Sequence, residues 1–134
     1  MLEVRNLTIY KDDHCLIDNL SFILNENDKC AIIGEEGNGK STLLKAIMGI
    51  EDYYEISGDI NRNHLRLGYL PQFLKIEKKI SVRDYLFEDE DQYDECLVLL
   101  KRKMQEFELN ESFLSKYVNV LSGGEKVKLG LLRL

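Results

Sequence analysis

The feature that most constrains this chain of 134 residues is the stretch "GEEGNGKST" at positions 34–42. Glycines tolerate positive φ angles, so the backbone of such a loop can turn successive N–H groups inward around one anion. The apolar run "KCAIIG" at 29–34 predicts a buried strand before the loop, and the pattern over 40–50 predicts an amphipathic helix after it. This order of strand, loop and helix is typical of a loop that binds the phosphates of a nucleotide.

The residue types in the motif fit the chemistry of a triphosphate. Lys40 supplies a positive charge for the β- and γ-phosphates, and Ser41 offers a hydroxyl to Mg²⁺. The helix that follows adds free N–H groups and the positive end of its dipole. The nucleotide-binding residues expected in this motif are Gly34, Gly37, Asn38, Gly39, Lys40, Ser41 and Thr42.

Two glutamates stand inside this anion-binding loop. Because backbone N–H groups do most of the binding, we expect Glu35 and Glu36 to point towards solvent. A carboxylate turned inward beside a triphosphate would be strongly repelled. The alternative hypothesis is that one of the two contacts a partner or tunes the affinity for nucleotide.

Charge and cysteine content narrow the class of protein. A net charge of −6 disfavours a nucleic-acid surface as the main feature, so direct DNA binding is not expected. Cys15, Cys30 and Cys96 lack the spacing of metal ligands and fit a reducing, cytoplasmic environment. Cys30 falls in the apolar run and is predicted to be a small core residue. The apolar runs are far shorter than a membrane span.

The first part of the chain is rich in strand patterns. The segments 2–10 and 16–24 predict two strands paired as a hairpin or antiparallel sheet, joined by the polar turn "KDDH". Two more strands are predicted over 56–63 and 65–71.

The pattern becomes helical after about residue 75. Ser81 with Asp84 three places later resembles a capping box, and the segment 91–108 has helical spacing. Asn110 is predicted to cap another short helix. We therefore expect one partial domain with a β-rich core at 1–74, a helical subdomain at 75–121 and a last helix at 122–134.

A second glycine motif, "LSGGE", lies at 121–125 and precedes that last helix. A serine and two glycines at the start of a helix form another set of inward-facing N–H groups suited to an anion. The chain therefore carries two phosphate-binding motifs separated by a helical segment.

With these motifs in this order, the chain resembles the ATP-binding-cassette (ABC) family along essentially its whole length. The four matching features are "GEEGNGKST", "LSGGE", the "GYLPQ" segment that ends in Gln72, and the aromatic residue Tyr10. The resemblance implies an α/β fold of the P-loop NTPase class. Its sheet would be mixed, with antiparallel N-terminal β strands, and a helical subdomain would be attached.

The resemblance also implies roles for single residues. Tyr10 would stack on adenine, and Ser41 and Gln72 would reach Mg²⁺ or its waters. The signature residues Ser122, Gly123, Gly124 and Glu125 would face the γ-phosphate of ATP held by a second ABC domain. That second domain would belong to the same parent chain or to a homodimer partner. The implied cofactors are ATP and Mg²⁺.

The chain departs from the family pattern at its end. It stops at Leu134, before the positions of the family's aspartate, catalytic glutamate and switch histidine, and His14 and His64 both precede the signature. We therefore expect a truncated domain with no catalytic residue of its own, which binds nucleotide but hydrolyses little. The full-length parent would be an ATPase.

The resemblance leaves three functional alternatives open. The segments "GYLPQ" and "LSGGEKVKL" favour a soluble ATPase of the ABC-F type that acts on ribosomes. The second alternative is the ATP-binding subunit of a membrane transporter, held at the inner membrane face through the helical subdomain near Gln72. The third is an ATP-gated interaction module without enzymatic activity.

Overall fold

A computed structural model describes residues 1–134 except 51, 53, 73–78 and 88–92, and it describes no side chains at 93–95. The chain packs into two compact units, Met1–Gly68 and Tyr69–Leu134. The predicted boundary after residue 74 lies outside the described residues, and the three-part division remains a prediction.

The first unit contains a three-stranded antiparallel sheet. Its strands are β1 (Leu2–Lys11), β2 (His14–Leu24) and β3 (Glu55–Asn61), in the order β2-β1-β3. The turn between β1 and β2 consists of Asp12 and Asp13, both with positive φ angles of 49° and 62°. Two left-handed residues suit a tight hairpin, because their twist matches that of the flanking strands. The predicted antiparallel N-terminal strands are confirmed.

One face of this sheet packs against the helix α1 (Lys40–Met48). The residues of β1 and α1 that form the buried cluster are Leu2, Val4, Leu7, Ile9, Leu43, Ala46 and Ile47. Gly49 ends α1 in the left-handed conformation, with φ 73°. The Arg62 guanidinium donates hydrogen bonds to the carbonyls of Ile47 at 2.6 Å and Ala46 at 3.0 Å. A positive group there satisfies the last carbonyls and complements the helix dipole.

The pairing of β1 with β3 is interrupted between Arg5 and Thr8. Asn6 has φ 47° at this irregularity, and Gly58 opposite has φ 97°. A Cβ atom added to Gly58 would lie 2.4 Å from the Asn6 carbonyl oxygen and 2.7 Å from that of Arg5. The two backbones approach so closely that only glycine fits at position 58.

Two predicted strands are wrong. The run 29–34 has no regular secondary structure, and Ile33 is 93% exposed. Cys30, predicted to be a core residue, is also exposed. A strand is buried on both faces only when neighbouring strands and covering layers exist, and the described residues provide neither beside this run. The segment 65–71 likewise forms no strand.

The second unit is helical. It contains α2 (Val82–Leu86), α3 (Tyr93–Glu106), short 3₁₀ turns at Glu111–Ser115 and Val118–Val120, and α4 (Gly123–Arg133). The buried side chains of this unit are Val82, Tyr85, Leu100, Met104, Phe113, Leu114, Val118, Leu121 and Leu129. The predicted helices are confirmed within the described residues.

The sequence predicts side-chain caps at two helix starts in this unit, and the structure contains one of them. The Ser81 hydroxyl accepts a hydrogen bond from the Asp84 backbone N–H at 3.1 Å, as the capping pattern predicts. Asn110 stands at the N-cap of the 3₁₀ turn, but its side chain makes no capping bond. Its carbonyl instead accepts from the Phe113 N–H at 3.0 Å. A single 3₁₀ turn closes with that backbone bond alone.

Candidate functional site

The phosphate-binding motif forms an open loop that leads directly into α1. Gly37 and Gly39 have φ angles of 87° and 76°, in the left-handed region that glycine adopts without strain. A Cβ atom on Gly39 would also lie 2.9 Å from Cβ of Leu16, whereas one on Gly37 would meet no described residue within 4 Å. Gly39 is therefore required for conformation and for space, and Gly37 for conformation alone.

The N-terminus of α1 is left without a side-chain cap. Gly39 is the N-cap residue, and the described part of the chain supplies no side-chain capping hydrogen bond at this helix start. The first N–H groups of a helix need an acceptor from outside the helix. The sequence places glycine where serine or aspartate would normally satisfy them, which leaves these donors available to an anion.

Lys40 folds back over the loop that precedes it. Its ammonium donates hydrogen bonds to the carbonyl oxygens of Gly34, at 2.9 Å, and of Glu35. The charge is thereby held at the loop rather than extended into solvent. Ser41 is exposed beside it, and Thr42 is half-buried.

The remaining loop residues point outward. Glu35, Glu36 and Asn38 are exposed, and the Asn38 N–H donates to the Glu35 carbonyl at 3.4 Å. The two glutamate carboxylates make no hydrogen bond or ion pair with the residues that the structure describes. This agrees with the expectation that they are solvated, and their effect on nucleotide affinity remains a prediction.

Tyr10 lies near the end of β1, opposite Glu55 on β3 and Cys15 on β2. Its side chain is 43% exposed. It borders a groove of about 600 Å³ lined by Tyr10, Asp12, Asp13, Asp52, Tyr54 and Glu55. Electrostatic interaction with Cys15, followed by a side-chain hydrogen bond with it, raises the pKa of the Tyr10 hydroxyl above its ordinary value.

Gln72 belongs to the second unit and is exposed. Its expected contact with Mg²⁺ remains a prediction. The described residues contain no group of three or more His, Cys, Asp or Glu side chains that could hold a metal ion. Within the same residues, no helix has the length and apolar character required to cross a bilayer.

The signature motif forms the capped start of α4. Ser122 is the N-cap, its hydroxyl accepts from the Glu125 N–H at 3.3 Å, and its own N–H donates to Glu125 Oε2 at 2.9 Å. This reciprocal pair is a capping box. Gly123 and Gly124 are exposed, and Cβ atoms added to them would meet no atom of the described residues within 4 Å.

Glu125 is also held by a residue that sequence reasoning missed. The Lys116 ammonium lies 2.6 Å from Glu125 Oε1. The hydrogen bond from Lys116, followed by those from Ser122, lowers the pKa of Glu125 from its ordinary 4.5 to about 2. The two residues are nine positions apart with an irregular segment between them, so no helical or strand periodicity could indicate the contact.

The lowered pKa of Glu125 makes the stability of the fold depend on pH in a known direction. The folded-state pKa lies below the unfolded value, so the carboxylate stabilises the fold above pH 4.5 and loses this effect as pH falls towards 2. We expect the stability advantage of the wild type over Glu125→Gln to be largest near pH 6 and to shrink steadily below pH 4.5. Urea denaturation at several pH values measures it. Glu125→Gln should behave alike in wild type and in Lys103→Met, a control for the loss of one exposed lysine, and a stability difference that does not depend on pH would contradict the assignment.

The family profile and the relatives described here all indicate the same protein family. The profile of the ABC transporter family matches residues 17–134. The zinc import ATP-binding protein ZnuC of Marinobacter nauticus is 32% identical over 99% of this chain and 50% of that protein. ZnuC 1 of Aliivibrio fischeri is 34% identical over 99% of the chain and 51% of that protein.

A third relative carries a less specific name. The uncharacterized ABC transporter ATP-binding protein YfmR of Bacillus subtilis is 30% identical over 99% of the chain and 22% of that protein. The chain spans about half the length of the two ZnuC relatives and less of the third.

Proposed function

The chain belongs to the ABC transporter family, and from this premise we propose that it binds ATP through its phosphate loop as one half of a head-to-tail pair. The observation that carries the proposal is the uncapped N-terminus of α1 behind two left-handed glycines. Backbone donors, the helix dipole and Lys40 together present positive charge at one point. A triphosphate is the ligand that such a site fits best.

Ser41 suits a magnesium complex of ATP, because it offers a hydroxyl oxygen and Mg²⁺ prefers oxygen ligands. The resemblance to the ABC family assigns a second oxygen ligand, the side-chain amide of Gln72. Bound Mg²⁺ would neutralise part of the phosphate charge. We assign the phosphates to Gly34, Gly37, Asn38, Gly39, Lys40, Ser41 and Thr42.

The base end of the nucleotide is assigned to Tyr10. An exposed, neutral ring can stack on adenine. The neighbouring groove carries Asp12, Asp13 and Glu55, while Asp52 is paired with Lys45 at 2.6 Å. This excess of carboxylates repels phosphate, which supports a pose with the base, and not the triphosphate, at this end.

The second half of the composite site is assigned to the signature. Ser122, Gly123 and Gly124 would face the γ-phosphate of ATP held by a second ABC domain, and the exposed start of α4 supports this. Hydrolysis would be the activity of the paired, full-length protein. The partner domain would come from the same parent chain or from a second copy.

Among the functional branches, we favour the ATP-binding subunit of a membrane transporter, positioned peripherally at the cytoplasmic face. The support is that the two ZnuC relatives are named zinc import ATP-binding proteins. Those names do not support the preference for a soluble ABC-F protein that acts on ribosomes. The alternative raised from the sequence therefore fits better than the first choice.

Two measurements test the proposal. Calorimetric titration with ATP and Mg²⁺ should give saturable binding, and GTP should bind more weakly, as the resemblance to the ABC family implies. Co-sedimentation of the protein from its own cells should place it with the membrane fraction and not with ribosomes. Absence of ATP binding would refute the ATP site, whereas ribosome association that depends on ATP would refute the transporter branch alone.

A further inference from the structure

The signature places a negatively charged side chain at a helix start that is proposed to bind phosphate. The start of α4 is exposed and offers its N–H groups to an anion, yet Glu125 stands in that same first turn. A carboxylate within several ångströms of a triphosphate would weaken binding by repulsion. The capping box fixes this carboxylate at the helix start, so it cannot swing away without loss of the cap.

Lys116 compensates the negative charge of Glu125 directly. Its ammonium lies 2.6 Å from Glu125 Oε1, while Glu125 Oε2 receives the Ser122 N–H. Each carboxylate oxygen therefore has its own donor. The nearby Lys128 is turned elsewhere, since its ammonium donates to the Phe107 carbonyl at 2.8 Å. Within the described residues, Lys116 is the cation paired with Glu125.

The backbone of Lys116 is hydrogen-bonded as well as its side chain. Its carbonyl accepts a hydrogen bond from the Val82 N–H at 2.8 Å, at the start of α2. The next two residues are held in the same way: Tyr117 forms an antiparallel bridge with Ser81, and the Val118 N–H donates to the Ile80 carbonyl at 2.9 Å. Lys116 thus reaches Glu125 from a segment pinned to α2, and the pair need not order a flexible loop in order to form.

We propose that Lys116 is a positioning residue for the signature: it neutralises and orients Glu125 so that the start of α4 can accept the phosphates of a partner's ATP. The inference rests on the proposed function of the signature. It makes the segment before the signature part of the ATP-dependent interface, through charge compensation and not through contact with nucleotide.

The test is a double-mutant cycle on Lys116 and Glu125, with ATP-dependent association of the protein as the measured quantity. Lys116→Met should weaken association of the protein in ATP and Mg²⁺ about tenfold at low salt, measured by sedimentation velocity. Glu125→Gln keeps the capping pattern without the charge, so Lys116→Met combined with Glu125→Gln should return to within about twofold of Glu125→Gln alone. Lys116→Arg should retain association. Lys103→Met removes an exposed lysine that pairs with Glu106 and controls for net charge.

A second readout does not depend on ATP. NMR titration of the Glu125 carboxyl should show its pKa rise from about 2 towards 4.5 in Lys116→Met. An unchanged titration, or a loss of association that Glu125→Gln does not relieve, would overturn the positioning role alone. Failure of the wild type to associate in ATP would overturn the proposed function of the signature, and the role of Lys116 with it.

Discussion

Replacement of Gly58 by alanine is expected to lower the free energy of unfolding by about 3 kcal/mol or more. The added Cβ would lie 2.4 Å from the Asn6 carbonyl oxygen and 2.7 Å from the Arg5 carbonyl oxygen. Both obstacles are backbone atoms of the central strand, so no side chain can rotate to make room. The φ angle of 97° adds strain for any residue with a side chain. Urea denaturation followed by circular dichroism measures the loss.

Gly37→Ala is the matched control for this prediction. Gly37 has φ 87°, but an added Cβ would meet no described residue within 4 Å. Its substitution therefore measures conformational strain without a clash, and we expect a cost of about 1–2 kcal/mol. Equal losses at the two positions would show that β3 does not approach β1 as closely as described.

Replacement of Lys40 by alanine is expected to lower the affinity for ATP about 100-fold. A hydrogen-bonded charge pair of this kind contributes up to about 3 kcal/mol, and no other lysine or arginine lies in the motif. The loop also loses the bonds that tie the ammonium to the carbonyls of Gly34 and Glu35. Titration calorimetry with ATP and Mg²⁺ gives the affinity, and thermal melting checks that the variant is folded.

Lys45→Ala provides the comparison for the loss of one positive charge. Lys45 lies in the last turn of the same helix and pairs with Asp52 at 2.6 Å. Its removal should cost some stability and leave the affinity for ATP within about twofold. If Lys40→Ala bound ATP as tightly as Lys45→Ala does, the phosphate loop would not be the nucleotide site.

The parts of this fold that sequence predicts are those decided by local interactions. The hairpin follows from two β-rich runs around Asp12 and Asp13, and Ser81 with Asp84 marks a helix start. The geometry of the phosphate loop can also be predicted from the sequence, because Gly37 and Gly39 adopt positive φ angles that few other residues adopt. Each of these features depends on residues within a few positions of one another.

The errors and omissions arise where the outcome depends on distant partners. The run 29–34 has the composition of a buried strand, but its burial depends on neighbours that the described chain does not supply. Arg62 caps α1 from the far end of β3, and Lys116 reaches Glu125 across an irregular segment. Contacts of this kind have no period or motif, so only the assembled structure reveals them.

The strand order β2-β1-β3 has a consequence for biosynthesis. During translation β1 can pair with β2 as soon as the hairpin has left the ribosome, but its other edge waits for β3, which is made after the phosphate loop and α1. Pairing across that sequence distance closes a long loop and is slower than hairpin formation. Until then the nascent chain presents an open edge on its central strand, so the sheet of the first unit is complete only after Gly58 and the rest of β3 have been synthesised.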